Sequence, residues 1–169
     1  MPFWRSFAHL VWTTKDREPL IGPEIEAALY ACLVAKAAEM GCYVHAVNGV
    51  ADHVHLILSI PPKHSVSDVV KNLKGNSSHF VNHKLSPGQQ SFVWQRGYGY
   101  LSLGESQCER AIAYVENQKQ HHQMNTVNRW LEKADEDEAG NDTSGSPSSA
   151  IHVLREHQGV YTASDERPF

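Results

Sequence analysis

The residues whose types and spacing bear most directly on chemistry are His53 and His55, two apart, and Tyr114 and Gln118, four apart. Positions two apart on an extended strand project to one face. His53 and His55 would therefore stand side by side on a stiff backbone, forming a bidentate platform for a cation. A solvated pair of strand histidines accounts for the triplet equally well, so the triplet alone does not choose. Tyr114 and Gln118 share one flank if their segment is helical. At about 100° per residue, Cys108, Ala111, Ile112 and Val115 make an apolar stripe, with Gln118 roughly 70° and Tyr114 roughly 110° from its middle. A tyrosine on the stripe's edge is only half explained by packing, which leaves its hydroxyl available. An amphipathic boundary residue is the competing account. His121 shares this flank and His122 lies one turn beyond Gln118, so both are accessory candidates. The helix dipole by itself also favours histidines near a C-terminus.

A second group of residues suits a polyanion. Lys71, Lys74 and Ser78 fall on one helical face, opposite Val69 and Leu73, and Lys63, Lys84 and Arg96 would add phosphate contacts. For any single lysine a plain solvated helix face explains the position as well. Trp94 and Tyr98 are of a type that stacks on bases, but aromatic residues on a strand are more often core.

The elements that must position these residues are legible from periodicity and turn residues. Phe7–Thr14 predicts an opening strand, with a turn over Lys15–Glu18. Glu24–Met40 repeats apolar residues at helical spacing, with Pro23 in the first turn and Gly41 at the C-terminal cap. Tyr43–Val50 and His53–Ile60 predict two strands joined tightly near Gly49–Asp52. On the second strand His53, His55, Ile57 and Ser59 form one face. Val54, Leu56, Leu58 and Ile60 form the other, which should pack on helices. Ser65 with Asp68 resembles a capping box opening a helix to about Lys84, with Val66, Val69, Val70, Leu73, Ser77, Phe80 and Val81 inward. Phe92–Leu103 predicts a bent or bulged strand around Gly97 and Gly99, and Glu105–Gln123 a single helix. The order β-α-β-β-α-β-α predicts an α+β, ferredoxin-like fold: a split-βαβ, RRM-like antiparallel sheet with helices on one face, plus a C-terminal catalytic helix and tail.

Composition sets the outer bounds. The 169 residues suit one domain with an appendage, and no apolar run approaches the roughly 18–20 residues of a membrane span. The N-terminus has neither the long apolar stretch nor the cleavage site of a signal peptide. Three cysteines without metal-type spacing suit a reducing compartment. The expected location is therefore the cytoplasm, beside the nucleoid. The formal net charge of −4 at first argues against nucleic acid. The acidity, however, is local: residues 132–169 hold 9 acidic and 3 basic side chains, against 10 and 12 in residues 1–131. The expected organisation is a domain over residues 1–131, an acidic Gly/Ser-rich linker over 132–150, and a short tail element over 151–169.

Five stretches, in order, resemble the single-tyrosine transposases of the HUH endonuclease superfamily, which include insertion-sequence and REP-associated tyrosine transposases. They are HLVWTTKDREPLI (residues 9–21), ADHVHLILSIPPKHSV (51–66), VVKNLKGNSS (69–78), FVWQRGYGYLSL (92–103) and ESQCERAIAYVENQKQHH (105–122). The acidic linker departs from that pattern. The resemblance implies that Tyr114 is the nucleophile and that His53, His55 and Gln118 bind a divalent metal, Mg²⁺ or Mn²⁺. It implies DNA transposition through a covalent 5′-phosphotyrosine on single-stranded DNA bearing hairpin (palindromic) elements, by a homodimer that needs no membrane. Two rivals remain. One is a domesticated single-stranded DNA or RNA binder with little or no cleavage. The other is a metal-dependent phosphoesterase using a water nucleophile.

Overall fold

The computed structural model describes residues 3–86, 88, 91–128 and 131–134. The tail element expected over 151–169, and the linker from 135 onward, lie outside the described residues.

Four strands form one antiparallel sheet: β1 (Phe7–Thr13), β2 (Tyr43–Val50), β3 (His53–Ser59) and β4 (Gly99–Leu103), in the order β2-β3-β1-β4. Helices α1 (Pro23–Glu39) and α2 (Val66–Phe80) connect β1 to β2 and β3 to β4. Together these give the predicted ferredoxin-like split βαβ. Pro23 occupies the first turn of α1, and Gly41 takes a left-handed φ of 75° just beyond it, which a side chain rarely adopts. The Ser65 side chain accepts from Asp68 N at 3.1 Å, capping α2 as its sequence predicts.

Period-two patterning divides the sheet into two faces. Leu10, Trp12, Val54, Leu56 and Leu58 point toward α1 and α2, meeting Leu29, Leu33, Val69 and Leu73, all fully buried. Each such side chain contributes about 1.5–3 kcal/mol of burial. The opposite face carries Ala46, Ile57 and Leu103, covered by Cys108, Ala111 and Val115 of α3 (Glu105–Glu116). That face also carries the histidines. The expectation of helices on one face plus a separate C-terminal helix is met with α3 on the side opposite α1 and α2.

Three expected elements take a different form. The helix predicted to Lys84 ends as α at Phe80 and continues as a π turn over Val81–Leu85. Only Gly99–Leu103 of the strand predicted over Phe92–Leu103 is laddered. Residues 92–98 are held instead mainly by side chains: Asn82 brackets Phe92 N and O, and Lys74 Nζ donates to Gln95 O and Gly97 O at 2.6 and 2.7 Å. Trp94 keeps a single bridge to Thr14 and donates Nε1–H to Ser77 Oγ at 2.9 Å. The helix predicted over Glu105–Gln123 breaks at Asn117, giving α3 and α4 (Gln118–Gln123). The Asn117 amide donates to Ala113 O at 2.8 Å, so it competes for a carbonyl of its own helix.

Candidate active site

The β2–β3 hairpin turns over two residues, Ala51 and Asp52, and delivers His53 and His55 to the α3 side of the sheet. Both imidazoles are buried, with rings 5.1 Å apart. Each is oriented by a neighbour. The Asp52 carboxylate accepts from His53 Nδ1 at 2.6 Å, which leaves Nε2 facing the site. That bond, followed by burial working against it, leaves the Asp52 carboxyl below its ordinary range. His55 Nδ1 lies 2.9 Å from Nε2 of His9 on β1, and the two rings are stacked at 5°. The register pairs Val11 with His55 and His9 with Ile57, so His9 sits diagonally across from His55. Burial, and then the neighbouring His55, push the His9 imidazole down to about 3, so it is neutral.

Helices α3 and α4 bring Tyr114 and Gln118 over this pair despite the break at Asn117, which is itself spanned: Asn48 Nδ2 on β2 donates to Glu116 O at 3.0 Å. Gln118 is fully buried and Tyr114 half-buried. The group that joins everything is Glu132. Its Oε1 accepts from the Tyr114 hydroxyl and from Gln118 Nε2, both at 2.7 Å. Its Oε2 lies 3.0 Å from His53 Nε2, 3.4 Å from His55 Nε2 and 3.5 Å from His122 Nε2. The Tyr114 oxygen also accepts from Asn128 N at 2.9 Å, and the His121 ring stacks on the tyrosine with centroids 4.6 Å apart.

These contacts set the charge states. Burial pushes the Glu132 carboxyl up, but the adjacent His53 and His55 imidazoles and the Gln118 amide outweigh it and hold the group well below the carboxylate range. Burial opposes charge on His53 as well, yet Asp52 and Glu132 together raise it. His55, more deeply buried, is pushed down and stays neutral. Burial and the adjacent Glu132 raise the Tyr114 phenol, against a lowering by the Asn128 N–H.

The donors fit a divalent cation. His55 Nε2 and Gln118 Oε1 are buried without a hydrogen-bond partner, which is costly unless something else meets them. His53, His122 and Glu132 offer ligand atoms within 4.8 Å of one another.

Of the residues singled out in the sequence, His53, His55, Tyr114, Gln118, His121 and His122 converge here. Lys63, Lys71, Lys74, Ser78 and Arg96 do not. Lys63 follows the far end of β3, beside Gly41. Lys71, Lys74, Ser78 and Arg96 line a cleft of about 620 Å³ between α2 and residues 91–98. Lys74 spends its ammonium on two carbonyls there, and Ser78 Oγ bonds Gly75 O at 3.2 Å. Trp94 is core and Tyr98 packs against it.

Three site residues escaped the sequence reading. Asp52 was visible beside His53 in the turn. His9 needed the β1–β3 register. Glu132 had no local signal, because it begins an acidic run that reads as linker.

Comparison with known proteins adds an independent line. The family described as "Transposase IS200 like" matches residues 3–118. The ISDra2 transposase TnpA of Deinococcus radiodurans is 33% identical over 117 residues, covering 65% of this chain and 81% of the relative. A transposase for insertion sequence element IS200 from Salmonella typhimurium is 29% identical over 126 residues, 72% of this chain and 82% of the relative. A crystal structure of a putative transposase from Deinococcus radiodurans superimposes with a TM-score of 0.56 at 29% identity, over 69% of this chain and 93% of that one. A REP-associated tyrosine transposase bound to a REP hairpin shares the fold, with a TM-score of 0.53 at 13% identity, over 75% of this chain and 76% of that one.

Proposed function

This chain is a member of the IS200-like transposase family, and from that premise we propose that it cleaves and rejoins single-stranded DNA at hairpin-flanked sites with Tyr114 as nucleophile. The observation that carries the reading is the meeting of the Tyr114 hydroxyl and the two imidazoles on one carboxylate: nucleophile and cation site lie one small anion apart. A phosphate group seated beside this carboxylate would reach both.

His53 Nε2, His55 Nε2 and Gln118 Oε1 are the atoms that would hold the cation, Mg²⁺ or Mn²⁺. Asp52 and His9 keep the two imidazoles in the tautomer that offers Nε2. A cation held by these residues would supply Lewis-acid stabilisation of the phosphate's negative charge. Imidazole donors suit Mn²⁺ better than Mg²⁺ and also accept Zn²⁺ in vitro. The Gln118 amide now turns its nitrogen toward Glu132, so ligation through Oε1 requires the amide to rotate by half a turn.

In the reaction, the bond from Tyr114 Oη to phosphorus forms as the bond from phosphorus to the 3′ oxygen breaks. The phenol surrenders its proton and the 3′ oxygen gains one. The phosphotyrosine stores the phosphodiester's energy, so a 3′ hydroxyl can reverse the step and join DNA without ATP. The tyrosine is held by the Asn128 N–H and by the stacked His121 ring, which restrict its swing before attack. The hairpin carried by the REP-associated neighbour supplies the substrate class, and a homodimer is part of the same proposal. No described helix is long and apolar enough to cross a membrane.

One observation favours the rival DNA-binder reading: His53, His55 and Gln118 are at most 2% exposed, so the site is shut as it stands. Cleavage of an end-labelled hairpin oligonucleotide with Mn²⁺ separates the two. We expect cleavage by the native chain and none by Tyr114→Phe. Binding without cleavage across varied hairpins supports the binder, and cleavage surviving Tyr114→Phe supports a water-based hydrolase.

A further inference from the structure

Glu132 lies beyond the segment that matches the family, which ends at residue 118, yet it contacts five side chains of the site. Its placement is fixed from several sides. Asn128 N is bound to the Tyr114 oxygen, Leu131 is buried, and the Lys133 carbonyl lies so close over Gly99 of β4 that a Cβ there would strike it. The carboxylate is therefore delivered by packed backbone on both flanks.

Its two oxygens do different things. Oε1 is saturated by two good donors, Tyr114 and Gln118. Oε2 faces three imidazole Nε2 atoms at 3.0, 3.4 and 3.5 Å. His53 is tied to Asp52 through Nδ1 and His55 to His9 through Nδ1, so both turn Nε2 toward Oε2, and the Nε2 of His55 is buried there without a hydrogen-bond partner. Imidazole nitrogens converging on one carboxylate oxygen make a donor set of the kind that holds a divalent cation, and ligand atoms of His53, His122 and Glu132 lie within 4.8 Å of one another. Separations of about 3.0–3.4 Å are also what adjacent ligands show around an ion with bonds of roughly 2.0–2.1 Å. The orphaned His55 Nε2 is the second sign of an unmet electropositive partner.

We propose that Glu132 is a further ligand of the divalent cation, binding through Oε2 alongside His53 and His55 while its Oε1 holds the Tyr114 hydroxyl beside the ion. This rests on the reading of His53 and His55 as metal ligands. The cation is then retained in part by a residue from outside the matched segment.

The test is Mn²⁺ titration by calorimetry on the full chain and on Glu132→Gln, which keeps shape and one acceptor but loses the charge. The proposal expects Mn²⁺ binding to weaken by about tenfold or more. It also expects the visible absorption of the Co²⁺-loaded protein to change band shape, as losing a carboxylate ligand requires and a packing change alone does not. Unchanged or tighter Mn²⁺ binding in a folded Glu132→Gln protein overturns it, since a carboxylate that merely fills the site competes with nothing once removed. His53→Ala and His55→Ala distinguish the two levels. If they bind Mn²⁺ as the native chain does, the underlying metal reading fails. If they lose Mn²⁺ while Glu132→Gln keeps it, only the added ligand fails.

Discussion

Replacing His9 by phenylalanine probes how the site is tuned from beneath. The ring volume and the stacked geometry on His55 are preserved, with centroids that now stand 5.1 Å apart. The bond of 2.9 Å between His9 Nε2 and His55 Nδ1 is lost. His55 is fully buried, so its Nδ1–H would have no other partner, at a cost of about 1–3 kcal/mol to the folded state. The remaining imidazole would also lose its preference for the tautomer that offers Nε2. Losing such an orienting partner weakens metal binding by about 10- to 100-fold, or roughly 1.4–2.7 kcal/mol. The assay is Mn²⁺ calorimetry, paired with metal-free thermal denaturation to show that the variant folds. His45→Phe is the control. It removes a histidine bond of 2.7 Å, to Ser59, elsewhere on the same sheet, and should leave Mn²⁺ binding unchanged. A folded His9→Phe protein that binds Mn²⁺ within about twofold of the native chain would refute the idea that β1 orients the ligand pair.

Other perturbations address other links. Lys74→Met should lower stability by about 1–2 kcal/mol in urea unfolding, because two charge-assisted bonds to Gln95 O and Gly97 O disappear from a partly exposed site. If it instead weakens oligonucleotide binding with stability intact, the lysine serves DNA and not the loop. Leu56→Ala, at the centre of the sheet's helix-facing side, should cost about 2–5 kcal/mol by the same measurement. Gly99→Ala should push on the Lys133 carbonyl and on Val11, destabilising the fold by about 1–3 kcal/mol and weakening Mn²⁺ binding by displacing Glu132. Retained affinity would show that the chain path over Gly99 does not matter to the site.

What the sequence made legible depends on how local the physics is. Strand alternation in His53–Ile60 was enough to separate an aliphatic face from a histidine face, and both separate in the structure as expected. The stripe on α3 and the flank bearing Tyr114 and Gln118 follow from helical spacing alone. The break at Asn117 was not visible, because it depends on one amide choosing a carbonyl of its own helix. Residues 92–98 read as strand because their composition is strand-like, and they keep two backbone bonds to the end of β1, but Asn82 and Lys74 meet the backbone of Phe92, Gln95 and Gly97. His9 and Glu132 are the instructive cases. Each reaches the site through tertiary placement, one by strand register and the other by a chain return that places an acidic residue against three imidazoles. The boundary expected after Leu131 separates Glu132 from the site that it enters. No composition argument brings a linker residue into a metal-type pocket.

The most direct measurement of the central claim is the mass of the peptide carrying Tyr114 after incubation with a hairpin-flanked single-stranded oligonucleotide and Mn²⁺. Nuclease trimming and proteolysis should leave a nucleotide 5′-phosphate on the Tyr114 phenol, absent when the metal is chelated. A nucleotide attached to any other residue, or cleavage products formed with Tyr114 unmodified throughout the time course, would contradict it.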